Sequence, residues 1–215
     1  MPRKRADSFK IALETLRDEL RRGAHPSGAR LTASEIAERL SLSQTPVREA
    51  LSRLAGEGLL QDRRGQGFFV PRLNELDLAV LFRLQQDLLL LTCQEGPLAV
   101  PAPELDRLIG VERSVLAARD LPVATERLFR LLAARSSPTL ARHLARLHDQ
   151  LAAVRSAEPQ VLDGLSEEFE TLARAVAQGE RQPIRDGLAQ FFARRIAAAA
   201  TLAASQDSPA NIVPI

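Results

Sequence analysis

Apolar positions along the first third of the chain repeat at helical spacing in three short blocks. From about Asp7 to Arg22, Phe9, Ile11, Ala12, Leu13, Leu16 and Leu20 fall on one broad face, and Gly23 with His25-Pro26-Ser27-Gly28 ends the segment in a turn. A second helix is predicted from Thr32 or Ala33 with Ile36, Ala37 and Leu40 inward, followed by the break Ser41-Leu42-Ser43-Gln44. A third is predicted over about Thr45 to Glu57, striped by Val47, Ala50, Leu51 and Leu54. Pro46 is tolerated in its first turn and Gly58 stops it. The period then changes. Leu59-Leu60-Gln61-Asp62 and Phe68-Phe69-Val70 are strand candidates around the glycine-containing turn Arg63-Arg64-Gly65-Gln66-Gly67.

Beyond a short linker at 71–74 the pattern is helical throughout. Helices are predicted at about 75–94, 103–118, 122–135, 139–156, 161–178 and 183–204, punctuated by prolines and glycines. Leu140, Leu144, Leu147, Leu151 and Val154 alternate four- and three-residue steps, a buried stripe. The tail from Ser205 is expected to fray. The fold class predicted is therefore mainly α. Residues 1–72 form a winged helix-turn-helix of three helices plus a two-stranded wing, and residues 75–204 an all-α bundle of about six helices.

Composition agrees with this. Of 215 residues, eight are Phe and none is Trp or Tyr, so Leu and Ala carry the apolar content, which favours helix. The single cysteine, Cys93, excludes an internal disulfide or a multi-cysteine metal centre, and its apolar helix reads as core rather than as a nucleophile. No uncharged apolar run approaches the roughly 18 residues of a membrane helix, and no signal core follows the basic N-terminus. A cytoplasmic protein with no membrane association is expected. Charge is divided unevenly: through Arg72, 14 Lys/Arg face 9 Asp/Glu, whereas beyond it 15 face 18. A basic head on a mildly acidic body is the footprint of one domain meeting a polyanion.

A recognition helix needs short polar and cationic side chains at its N-terminal end and apolar ones behind. Ser43, Gln44, Thr45 and Arg48 are so placed over Val47, Ala50 and Leu51. Arg48 reaches guanine or phosphate, or alternatively pairs with Glu49 or Glu38. Arg63 and Arg64 beside Gly65 suit backbone or minor-groove contact, and Arg30, Ser34 and Arg53 complete the expected DNA-binding set.

The ordered motifs Gly28-Ala29-Arg30-Leu31, Ile36-Ala37-Glu38-Arg39-Leu40, Thr45-Pro46-Val47-Arg48-Glu49-Ala50-Leu51, Arg53-Leu54, Glu57-Gly58-Leu59-Leu60 and Gly67-Phe68-Phe69-Val70 closely resemble the head of the GntR family of bacterial transcription regulators. Where the family usually has Arg before the Thr-Pro-Val-Arg run, this chain has Gln44, and Gln prefers adenine where Arg prefers guanine. The helices that follow resemble the FCD subgroup (FadR C-terminal domain). Arg83 and Asp87, Glu126-Arg127-Leu128-Phe129-Arg130, Glu168 to Val176, and Leu188 to Phe192 sit at its motifs.

Many members of that subgroup hold a divalent metal through one Asp and three His. The corresponding places here are Glu126, Arg130, Phe169 and Phe191, of which only Glu126 can ligate. The three histidines are His25 in a turn and His143 and His148 beside the leucine stripe, which read as surface or boundary residues. No metal and no cofactor are expected.

Two readings of the pocket stay open. In one, Arg83, Asp87, Glu126, Phe129, Arg130, Phe169 and Phe191 line a site for a small amphipathic or carboxylate effector. In the other, Glu126 and Arg130 are an i, i+4 pair, the phenylalanines fill space, and regulation is ligand-independent. The resemblance implies a dimeric regulator of double-stranded DNA, binding a pseudo-palindromic operator, and not an enzyme.

Overall fold

The computed structural model describes residues 2–94, 99–100, 103, 105 and 120–206, with side chains from residue 6. Helix α1 spans Pro2–Arg21, β1 Arg30–Leu31, α2 Ala33–Arg39 and α3 Gln44–Gly56, followed by β2 Gln61–Arg63 and β3 Gly67–Phe69. The body comprises α4 Glu75–Thr92, α5 Leu121–Ala134, α6 Pro138–Ser156, α7 Glu158–Val161, α8 Leu165–Gln178, α9 Arg181–Ala197 and α10 Ala199–Ser205. The helix expected over 103–118 and the tail beyond residue 206 lie outside the described residues, apart from residues 103 and 105.

In the head, the apolar stripes of α1, α2 and α3 converge on one core. Leu16, Val47, Ala50, Leu51 and Leu54 are all fully buried. The turn between α2 and α3 passes through Ser41 in a left-handed conformation (φ 53°). The sheet differs from the two-stranded expectation. Its order is β1-β3-β2, all antiparallel, with Arg30 opposite Phe69 on one side and Arg63 opposite Gly67 on the other. The extra strand is two residues long, too short to leave a periodicity. It is held in register by backbone bonds on its flank, Gly28 N–H to Val70 C=O and Val70 N–H to Ala29 C=O, both 2.9 Å.

The body has a separate core. Asn74 opens α4 with a reciprocal capping box: its side chain accepts from Asp77 N–H (2.9 Å) and Asp77 accepts from Asn74 N–H (3.1 Å). Ser137 caps α6. All five members of its stripe, Leu140 to Val154, are buried. Pro159 does not end a helix but lies in the first turn of α7, as Pro183 does in α9, where a missing N–H costs no bond. The helix expected over 161–178 starts later, at Leu165: Val161 closes the short α7, and Gly164, with a left-handed φ of 64°, precedes α8. The stretch expected at 183–204 is likewise divided at Ala198. Helix α4 packs on α9 and α10, α5 on α6 and α8, and α1 of the head lies against α6.

Candidate nucleic-acid interface

The start of α3 is built to present its polar side chains outward. Ser43 is extended (φ −78°, ψ 156°) and its side chain makes no capping bond, which leaves the hydroxyl available. Ser43, Gln44, Thr45 and Arg48 are exposed, whereas Pro46, Val47, Ala50 and Leu51 are buried against α1 and α2. This division follows from the 3.6-residue period: the buried set cannot turn outward without exposing the head core. Among the described residues Arg48 makes no ion pair with Glu38 or Glu49. Its guanidinium is therefore a free cation on the same face as the polar N-terminal residues.

Ser34 is exposed at the start of α2, and Arg30 is exposed on β1. At the wing tip Gly65 (φ 75°) and Gly67 (φ 103°) allow the tight turn between β2 and β3. Arg63 lies 4.4 Å over the Phe69 ring and donates to Gln61 Oε1 at 3.2 Å, which holds it along the wing. Arg64 projects freely. Arg53 differs from the rest, because its Nε donates to Glu57 at 2.7 Å and ties it to the end of its own helix.

The seven residues expected to line an effector pocket fall into three separate places rather than around one cavity. Arg83 and Asp87 are exposed on α4. Phe129, Phe169 and Phe191 are buried, and they fill the body core. Phe129 meets Phe191 edge-on at 5.1 Å and stacks on Phe192 at 5.8 Å. Glu126 and Arg130 do form the i, i+4 pair, at 2.7 Å, but at the junction with the head. There Arg21 of α1 donates to Glu126 at 2.5 Å and to Asp149, and Arg130 donates to Asp149 at 2.8 Å. Arg17 joins the same cluster by pairing with Glu57 and, at 3.5 Å, with Asp149. Burial would raise the Glu126 carboxyl, but the hydrogen bonds from Arg21 and Arg130 outweigh it and hold the group below the usual carboxylate range.

A metal does not fit these residues. The carboxylate of Glu126 is committed to two guanidinium groups, and among the described residues no three His, Cys, Asp or Glu side chains stand together to hold an ion. Cys93 is buried, and burial pushes its thiol up, away from reactivity.

His148 corrects a further expectation. It is fully buried rather than at a boundary, 6.2 Å from the Phe129 ring, with neither ring nitrogen hydrogen-bonded among the described residues. Burial, reinforced by the Arg155, Arg130 and Arg21 charges, lowers its pKa to about 2, so it stays neutral. The sequence held a signal for this, since His148 lies one helical turn beyond Leu144.

Two buried arginines escaped the sequence reading altogether. Arg195 donates to Glu158 (2.8 Å) and Glu168 (2.6 Å), with its guanidinium 3.4 Å over the Phe191 ring. Arg155 donates to Gln85 and lies 5.3 Å over Phe129. Burial lowers the Arg155 pKa to about 10, still well above neutrality. Arg155 and Arg195 sit in segments of ordinary surface composition, and their partners come from other helices.

Residues 11–70 match the profile of bacterial regulatory proteins of the gntR family. Over 73 residues the chain is 40% identical to the HTH-type transcriptional regulator McbR of Escherichia coli K12, and over 97 residues 35% identical to the Nta operon transcriptional regulator of Aminobacter aminovorans. These matches cover 34% and 43% of this chain but only 33% and 42% of those proteins. In three dimensions the similarity is longer. The fold of E. coli McbR/YncC superposes with a TM-score of 0.73 at 24% identity, over 90% of this chain and 97% of that one. A GntR regulator from Rhodococcus gives 0.71 at 19%, over 91% and 98%. The relatives quoted are named as regulators, and none as an enzyme.

Proposed function

We propose that this chain is a dimeric, sequence-specific transcription regulator of the GntR type, acting on double-stranded DNA in the cytoplasm through the domain at residues 11–70 that matches the family profile. The observation that carries this reading is the exposed set Ser43, Gln44, Thr45 and Arg48 at the start of α3, backed by a fully buried apolar face. Arg30, Ser34, Arg63, Arg64 and the backbone at Gly65 supply flanking phosphate and groove contacts. Arg53, already paired with Glu57, acts by orienting the end of α3.

We assign the body to the FCD subgroup and to dimerisation. On α4 the apolar side chains of Leu76, Val80, Leu84 and Leu91 are 71%, 57%, 45% and 44% exposed. They follow one another at four- and seven-residue steps, a continuous stripe that a second copy of the chain covers. Two heads related by that two-fold read the half-sites of a pseudo-palindromic operator. Of the two expectations for the body core, the packing of Phe129, Phe169 and Phe191 supports the filled-in one. Effector control, where it operates, belongs to the head–body junction.

The test is selection of bound duplexes from a random library, followed by footprinting with Arg48→Ala. Loss of one bidentate or charge-assisted contact in each half-site is expected to reduce specific binding by at least about 1–3 kcal/mol. The dimer measured by sedimentation is expected to be unchanged. Footprints as strong as those of the parent chain would overturn the role given to Arg48.

A further inference from the structure

Between the head and the body lies a cavity of about 420 Å³, within the roughly 300–1,000 Å³ span of small-ligand sites. Its walls come from both domains: Leu20, Leu59 and Val70 from the head, Leu73 from the linker, and Leu81 and Val154 from α4 and α6. Most polar groups around it are already engaged. His25 bonds Glu19 (2.9 Å), Gln150 Nε2 donates to the Glu57 carbonyl (2.8 Å), and Asp149 serves Arg21 and Arg130. Arg72, at the rim, is the one cation lining it that is not committed: its guanidinium lies against Gly28 and has no ion-pair partner among the described residues. The cavity thus combines an apolar interior with one uncommitted positive charge.

We propose that this junction cavity is a binding site for a small apolar monocarboxylate. Its hydrocarbon body takes the leucine and valine walls, and its carboxylate pairs with Arg72. The inference rests on the DNA-binding reading of the head only for its regulatory consequence. A ligand touching head, linker and body at once favours one head orientation, and so shifts operator affinity by its differential binding to the two states. No metal is required, in keeping with the engaged carboxylate of Glu126.

The probe is phenylbutyrate, with phenylbutanol as its uncharged counterpart, titrated calorimetrically into the full-length protein without DNA. Saturable binding of the acid is expected. It should weaken about tenfold or more for the alcohol and for Arg72→Gln, the loss of one charge-assisted bond. Ala153→Phe, which projects a ring into the cavity from α6, is expected to abolish binding while leaving the melting temperature of the free protein within a few degrees of the parent's. Should Ala153→Phe fail to fold, Arg72→Gln decides alone, because Arg72 is exposed and no partner is lost. Absence of saturable binding, or binding indifferent to Arg72→Gln, overturns the site. Operator affinity is measured separately without ligand, so a failed cavity and a failed DNA-binding head give different results.

Discussion

Replacing His148 by Leu is expected to stabilise the protein, and by an amount that grows as the pH falls. The side chain lies on the inward face of α6 between Leu144 and Leu151, fully buried, with both ring nitrogens unpartnered among the described residues. Leu is of similar size and continues the stripe. At neutral pH, removing buried nitrogens without partners recovers part of a desolvation cost of about 1–3 kcal/mol, and imperfect packing offsets some of it, leaving a gain near ~1 kcal/mol.

The pH dependence is the sharper test. The folded-state pKa is depressed from 6.5 to about 2 by burial and by the facing Arg155, Arg130 and Arg21. The unfolded chain therefore takes up a proton below its ordinary value of 6.5 while the folded chain refuses it. Stability from this group is complete above that value and declines as pH falls toward the folded pKa. At about pH 5, 1.5 units below the unfolded pKa, the loss is ~2 kcal/mol at roughly 1.4 kcal/mol per unit. Urea unfolding of both proteins from about pH 7.5 to pH 5 should show the stability difference widening by that amount. Parallel pH profiles would refute the claim that His148 is held neutral in the core.

Two further substitutions examine the junction. Asp149→Asn keeps the side-chain size but removes the carboxylate shared by Arg17, Arg21 and Arg130. Because Arg130 is partly exposed, the expected cost is about 1–2 kcal/mol rather than that of a fully buried pair. Proteolysis in the linker after Val70 should quicken, and added salt should narrow the difference from the parent; an equal difference at low and high salt would argue against a charge effect. Gly58→Ala places a methyl group at a φ of 82°, where it collides with the Gln150 amide that donates to Glu57. A loss of about 1–2 kcal/mol is expected from backbone strain and the displaced bond. Calorimetric melting at or above the parent temperature would show that this close approach is dispensable.

Much of the head was legible because its instructions are local. A proline in the first turn of α3, Gly58 after its end, and apolar residues at three- and four-residue spacing set the limits of α3 within one residue, whereas α1 begins at Pro2, five residues before its expected start. The same locality explains the misses. Arg30-Leu31 is a strand only because β3 lies beside it, and a two-residue ladder has no period of its own. Glu126 and Arg130 were visible as a pair, but Arg21 reaches Glu126 across 105 positions of sequence. No spacing rule covers such a distance.

By itself, then, the sequence determined the three head helices, the glycine-containing wing, the exposed polar start of α3 and the helical character of the body. These depend on backbone propensity and side-chain period over a turn or two. Tertiary structure alone decided which polar groups are buried and with whom. His148 lies against Phe129, Arg195 lies between Glu158 and Glu168, and an apolar cavity opens where Arg72 remains uncommitted. Burial and pairing are properties of surfaces meeting in space, and the residues that meet at this junction come from α1, the wing, the linker and α6.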